Sequence, residues 1–270
     1  MTQNIIQVSD LQIYPVKSCK GLQRKSIVIQ KKGPEHDRRW MLIDSSNRFM
    51  SQRQFPQMAL IEVTPYDDHL FIRLPNKQEY SIPIQTKDKK IDVVIWKDTC
   101  SAIDQGEDIA QALSHFLNTD CRLVFIPDET IRQVNQKYAL NPQDEVGFAD
   151  GYPFLLISEA SLEDLNKKLD RPLPMNRFRP NIVINGCSPY EEDTWKTIRI
   201  GEIKFSIVKP CSRCVITTID QSTAEKSLEP LQMLSTYRKM EKGIMFGQNI
   251  IHQNLGILNV GDRIEILERK

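Results

Sequence analysis

The chain has 270 residues, 40% hydrophobic and 26% charged, with 36 Lys and Arg against 35 Asp and Glu. That is enough apolar material for two modest domains or one large one, and a formal charge of +1 excludes a global pull towards nucleic-acid polymers or anionic membranes. No run approaches the roughly 20 apolar residues of a spanning helix, so no membrane segment is expected. Six scattered cysteines exclude a secreted disulfide scaffold and point to a reducing compartment, the cytoplasm.

Met1 to Gln12 alternates polar and apolar residues and reads as a first strand rather than a signal peptide. Short β-branched and apolar runs then predict strands at Ile27 to Gln30, Trp40 to Ile43, Leu60 to Val63, Leu70 to Leu74, Tyr80 to Ile84 and Val93 to Trp96. Their close spacing favours a meander or barrel. Ile109, Leu113, Phe116 and Leu117 share one face of a helical period, and Arg122 to Ile126 reads as a returning strand. From Pro127 to Gly151 the chain is polar and aperiodic, long enough to be functional or to join domains. The boundary is placed at its start, giving domains 1–126 and 127–270.

Beyond it, Pro153 to Ile157 reads as a buried strand, followed by a helix with Ser158 or Ser161 as N-cap and Leu162, Leu165 and Leu169 facing inward. Asn181 to Asn185 is a strand, and Thr197 to Ile200 pairs with Ile203 to Val208 around Gly201-Glu202. Val215 to Ile219 reads as another strand, and Pro230 to Met240 as a short helix. Strands at Ile250-Ile251, Ile257 to Val260 and Ile264 to Leu267 complete the chain. The fold class expected is α+β, mainly β, with two β-barrel-like domains and a few flanking helices.

Four clusters can carry chemistry. Pro210-Cys211-Ser212-Arg213-Cys214 offers two thiols three residues apart, which can chelate a metal, form a redox pair or simply be core cysteines. Structural zinc would need two further ligands, and none of the four histidines has ligand-like spacing. A thioredoxin-type pair would open a helix, whereas this one precedes an apolar run. Tyr14-Pro15-Val16-Lys17-Ser18-Cys19-Lys20-Gly21 can cradle a phosphate, although it lacks P-loop spacing. Asp37-Arg38-Arg39-Trp40 reads as an ion pair beside a strand. Asn176-Arg177-Phe178-Arg179-Pro180-Asn181 suits a polar, anionic ligand.

In order along the chain, these clusters, with Ser51-Gln52-Arg53, Ile157-Ser158-Glu159-Ala160-Ser161 and Val260-Gly261-Asp262, resemble the two-domain MOSC family: an N-terminal MOSC-associated β-barrel followed by a MOSC domain. The chain is similar in this to the mitochondrial amidoxime-reducing component and its bacterial relatives. The resemblance implies a molybdenum cofactor (Mo-molybdopterin) with Cys214, not Cys211, as the metal ligand. It implies Lys17, Ser18 and Arg38 as cofactor contacts from the first domain, and Arg179, Asn181, Ser212, Arg213 and Asn249 from the second. Gly151 and Tyr152 fall on the family's connecting loop at the cofactor, and Asp150 beside the metal, able to relay a proton.

The implied activity is reduction of N-hydroxylated small molecules (hydroxylamines, amidoximes, N-hydroxylated bases), a detoxification. No cysteine follows Cys214, so electrons are expected from a separate flavin-, haem- or iron–sulfur-containing protein. The alternative is a carrier delivering cofactor or sulfur to other molybdoenzymes.

Overall fold

The computed structural model describes residues 5–84 and 90–270. It is mainly β, with three α-helices among the described residues, in the class expected. The largest sheet runs in the order Ile264–Arg269, Trp195–Ile200, Ile203–Ser212, Gly243–His252, Phe154–Ser158, Ile182–Asn185, Gln7–Ile13, Leu22–Arg24, with Lys239–Met240 as a side pairing. Its neighbours are antiparallel except Phe154–Ser158 and Ile182–Asn185, which are parallel. Parallel neighbours need a crossover, here containing the helix Glu159–Asn166. The Ser158 hydroxyl accepts from the Ser161 N–H at 3.1 Å, so Ser158 is the N-cap.

The first strand begins at Gln7 and lies inside this sheet, pairing Leu11 with Ile182 and with Arg24. Met1 to Asn4 of the expected strand lie outside the described residues. A three-stranded sheet also joins the two ends of the chain, pairing Gly256–Asn259 with Ser26–Gln30. One core therefore takes Val8, Leu11, Ile13, Ile27 and Ile29 from the start of the chain, with Phe154, Trp195, Phe205 and Leu258 from its second half. Each large side chain fully buried there contributes about 1.5–3 kcal/mol.

A second core lies under the sheet Glu62–Pro65, His69–Arg73, Glu79–Pro83 and the helix Glu107–Leu117, whose Ile109, Leu113 and Leu117 are buried. Trp40–Ile43 pairs with Arg122–Phe125, followed by Asp98–Asp104 and Lys90–Ile95; this sheet gives Trp40, Leu42, Leu123 and Phe125 to the second core and Met41, Ile43, Val93 and Val124 to a third. Leu60 to Val63, read as one strand, divides into a 3-10 turn, Pro56–Leu60, and the start of Glu62–Pro65.

The polar stretch from Pro127 is packed. Val134, Val146 and Phe148 are buried, and the N–H groups of Val134 and Val146 bond across it to Asp144 and Arg132. Glu145, within it, pairs with Lys32 at 2.8 Å and with Lys31.

One expected strand does not form. Val215 to Thr218 is a 3-10 turn. The Thr217 and Thr218 hydroxyls donate to the carbonyls of Cys214 and Val215, at 2.9 and 2.8 Å, satisfying groups that a strand would pair across a sheet. The β-branched run reflects burial of Thr217, Thr218 and Ile219, while Val215 is exposed.

Candidate functional site

Strand ends converge on a cleft of about 300 Å³. Lys17 and Ser18 follow the first strand, and Arg38 precedes Trp40–Ile43. Asp150, Gly151 and Tyr152 precede Phe154–Ser158, and Arg179 and Asn181 precede Ile182–Asn185. Ser212, Arg213 and Cys214 close Ile203–Ser212, and Asn249 lies on the strand beside it. Every one of these residues, read from the sequence as a site residue, lines this single cleft. Cys211 lines it too, so geometry alone does not separate the two cysteines.

The lining carries six basic side chains, Lys17, Arg38, Arg53, Arg179, Lys209 and Arg213, against one acid, Asp150. Such an excess of cations is stable only if ordered by other contacts. Arg38 donates to Asp37 at 2.7 Å and to the Asn181 side-chain oxygen at 3.0 Å. Asp37 also accepts from the Tyr14 N–H at 2.8 Å and from Asn181 at 3.0 Å, so one buried carboxylate ties both halves of the chain to the cleft floor. The Tyr14 ring has the guanidinium carbons of Arg38 and Arg179 each 4.2 Å from its centroid. Arg179 is pushed down to about 10 by burial, which marks how little water shields it.

Lys17, also in the lining, is 5% exposed, donates to the Phe148 carbonyl at 2.9 Å and pairs with Asp150. Burial lowers the Lys17 ammonium from its ordinary value, against the pull of Asp150. Neighbouring protein takes some water from around the Asp150 carboxylate, which disfavours its charge, but Lys17 and Arg53 outweigh that and hold it below the usual range. Arg132 pins the loop beneath by donating to the carbonyls of Gly147 and Ala149, at 2.7 and 2.6 Å. A Cβ on Gly147 would come 2.8 Å from the Arg38 carbonyl oxygen, so this close approach requires glycine.

The thiols have separate partners. Arg213 donates to Cys211 Sγ at 3.0 Å and to the Phe178 carbonyl at 2.5 Å, leaving its buried Nε without a partner. Arg53 donates to Cys214 Sγ at 3.3 Å. Arg53 also lies 4.7 Å from the ring of Trp96, whose indole N–H donates to Asp150 at 3.2 Å. In the sequence, Ser51-Gln52-Arg53 stands as a motif with no role for Arg53, and Trp96 as a strand end. Their signal, contact with residues 161 and 54 positions away, exists only in the fold.

Backbone strain concentrates here. Ser18, Arg38, Trp96 and Arg179 are four of ten non-glycine residues with positive φ among the described residues, at 68°, 47°, 57° and 55°. Each costs on the order of 1–3 kcal/mol, which surrounding contacts must offset.

Among the described residues no three His, Cys, Asp or Glu side chains form a group that could hold a metal ion. A metal held here would therefore take most of its ligands from a cofactor. A soft thiol beside clustered guanidinium and ammonium groups suits a thiolate-ligated metal on an anionic, phosphate-bearing cofactor. The unpartnered Arg213 Nε is a further donor in the same wall. The donor set thus fits a metal–pterin phosphate.

Residues 5–120 match the family model described as the MOSC N-terminal beta barrel domain, and residues 143–265 the one described as the MOSC domain. The chain is 36% identical to mitochondrial amidoxime-reducing component 1 of Mus musculus, over 98% of this chain and 83% of that protein. It is 35% identical to the Homo sapiens protein of the same name, over 99% and 85%. It is 35% identical to mitochondrial amidoxime reducing component 2 of Bos taurus, over 97% and 83%.

Proposed function

The chain belongs to the MOSC family, and on that premise we propose that it is a molybdenum-cofactor-dependent reductase of N-hydroxylated small molecules. The observation that carries this reading is a single thiol-bearing cleft whose six cations come from both ends of the chain. Lys17, Ser18, Arg38, Arg179, Asn181, Arg213 and Asn249 would hold the cofactor's phosphate and polar ring edges, with Gly151, Tyr152 and Ser212 completing the walls. Cys214 would supply the metal ligand. When bound, the cofactor supplies two-electron redox chemistry that the side chains lack.

Removing oxygen from an N–OH group consumes two protons and two electrons and releases water. Asp150 is 60% exposed and paired to Lys17, so it links solvent to the cleft. In our reading Lys17 Nζ and Asp150 Oδ1 pass protons inward, and the surrounding cations orient the cofactor. The electrons come from a separate carrier protein. All six cysteines are free. Among the described residues no helix is long and apolar enough to cross a membrane.

A donor-coupled assay tests the reading. Cofactor-loaded protein should be inert with NADH or NADPH alone. It should reduce hydroxylamines or amidoximes when given a low-potential artificial donor or a flavin- or haem-containing partner, and Cys214→Ala should not. Wild type no better than Cys214→Ala with every donor, while still passing cofactor to an apo-enzyme, would favour the carrier instead.

A further inference from the structure

Behind the cations of the cleft lie two buried, uncharged residues that the reductase reading does not use. Gln52 and Gln221 are both buried, and neither lines the cleft. Their side-chain amides face one another across 169 positions of sequence. Gln52 Nε2 donates to Gln221 Oε1, and Gln221 Nε2 to Gln52 Oε1, both at 3.0 Å. The second N–H of Gln221 goes to the Ile219 carbonyl at 3.1 Å, and that of Gln52 to the Ser18 carbonyl at 2.7 Å. Every amide N–H of the pair is thus satisfied. Two apolar side chains of the same shape would fill this space at similar stability. Packing alone therefore gives no reason for two amides here.

Their outward contacts supply one. Gln221 Oε1 also accepts from Arg179 Nη1 at 3.2 Å, and it is the only hydrogen-bond partner of that guanidinium among the described residues. Ser18 and Arg179, the cleft residues at the two ends of this bridge, both hold left-handed backbone, at φ 68° and 55°. Residues keep such geometry only where their neighbours over-determine it. The bridge also fastens the chain on either side of the thiol. Gln52 precedes Arg53, which donates to Cys214 Sγ, and Gln221 follows the 3-10 turn that starts from Cys214.

We propose that Gln52 and Gln221 are positioning residues, whose paired amides hold Ser18 and Arg179 at the spacing that a phosphate group needs. The anion cradle is then assembled before its ligand arrives, which spares the ligand the cost of ordering it. This deepens the reductase reading and rests on it only for the identity of the molecule that carries the phosphate.

Inorganic phosphate, titrated by calorimetry at low ionic strength into the chain expressed without cofactor, tests the proposal without turnover. Wild type should bind phosphate saturably. Gln52→Met and Gln221→Met should each bind it about ten-fold more weakly, the loss expected when one charge-assisted contact is misplaced. The double variant leaves no orphaned amide, so it should melt closer to wild type than either single variant does. It should nevertheless bind phosphate no better than they do, because either change alone already breaks the bridge. A double variant that regains phosphate binding along with stability would make the pair merely structural and overturn the proposal. Single variants that bind as tightly as wild type, or wild type that binds no phosphate, also overturn it. Phosphate binding that depends on the pair, in protein that takes up no molybdenum in a cofactor-competent host, would support the bridge and contradict the reductase reading alone.

Discussion

Asp37 shows how much of a site can rest on a residue that never lines it. Burial pushes its carboxyl above the ordinary range, against the pull of Arg38, yet it still gathers Tyr14, Arg38 and Asn181. Removing it leaves the Arg38 guanidinium, whose side chain is 14% exposed, without its counter-charge. Asp37→Ala should therefore destabilise the protein by about 3–5 kcal/mol and lower its bound metal. Asp37→Asn, which keeps the shape and the Tyr14 contact, should do so less. Chemical denaturation with metal analysis checks this, and an Asp37→Ala protein as stable as wild type would refute the assigned role. The sequence showed Asp37 only as half of an ion pair, because its partners Tyr14 and Asn181 are 23 and 144 positions away. Arg38, Arg179 and Cys214 stand in motifs of unusual local chemistry, but it is the resemblance to the MOSC family that gives them roles.

Legibility at the level of elements followed burial. Phe154–Ser158 and Ile182–Asn185 are almost entirely buried runs and were found nearly to the residue. The strand Asp98–Asp104 was missed, since its polar residues, Asp98, Thr99 and Ser101, hide its pairing with Lys90–Ile95. Val215 to Ile219 was misread because threonine hydroxyls can satisfy the backbone locally.

The stretch from Pro127 to Gly151, aperiodic to the eye, is anchored through its own Glu145 to Lys31 and Lys32. Burial disfavours the Glu145 carboxylate, but Lys31 and Lys32 outweigh this and lower it from its ordinary value. A carboxyl lowered on folding stabilises fully above its unfolded value, about 4.3. That contribution is lost as pH falls through the folded value. Glu145→Gln should thus melt below wild type at pH 7, with the gap narrowing below about pH 4.5. Thermal scans across that range check the sign, and a gap that widens on acidification would contradict it.

In the whole molecule, strands from the start of the chain are built into sheets formed by its second half. Gln7–Ile13 lies between Ile182–Asn185 and Leu22–Arg24, and Ser26–Gln30 pairs with Gly256–Asn259. Periodicity identifies such strands but not their partners, so the expected division at residue 126 carried no hint of this exchange. With a core shared across that division, unfolding should be one cooperative transition. Calorimetry showing two separated transitions would contradict the shared core.

The same arrangement carries Lys17 and Arg38 to the cleft that holds Cys214. The central claim is that Cys214 alone among the cysteines ligates the metal of a molybdenum cofactor bound there. X-ray absorption at the molybdenum edge tests it most directly, on wild type, Cys214→Ser and Cys211→Ser expressed in a cofactor-competent host. Cys214→Ser should lose one sulfur neighbour of the metal, while Cys211→Ser keeps the wild-type spectrum. An equal loss in both variants, or none in Cys214→Ser, would contradict the account.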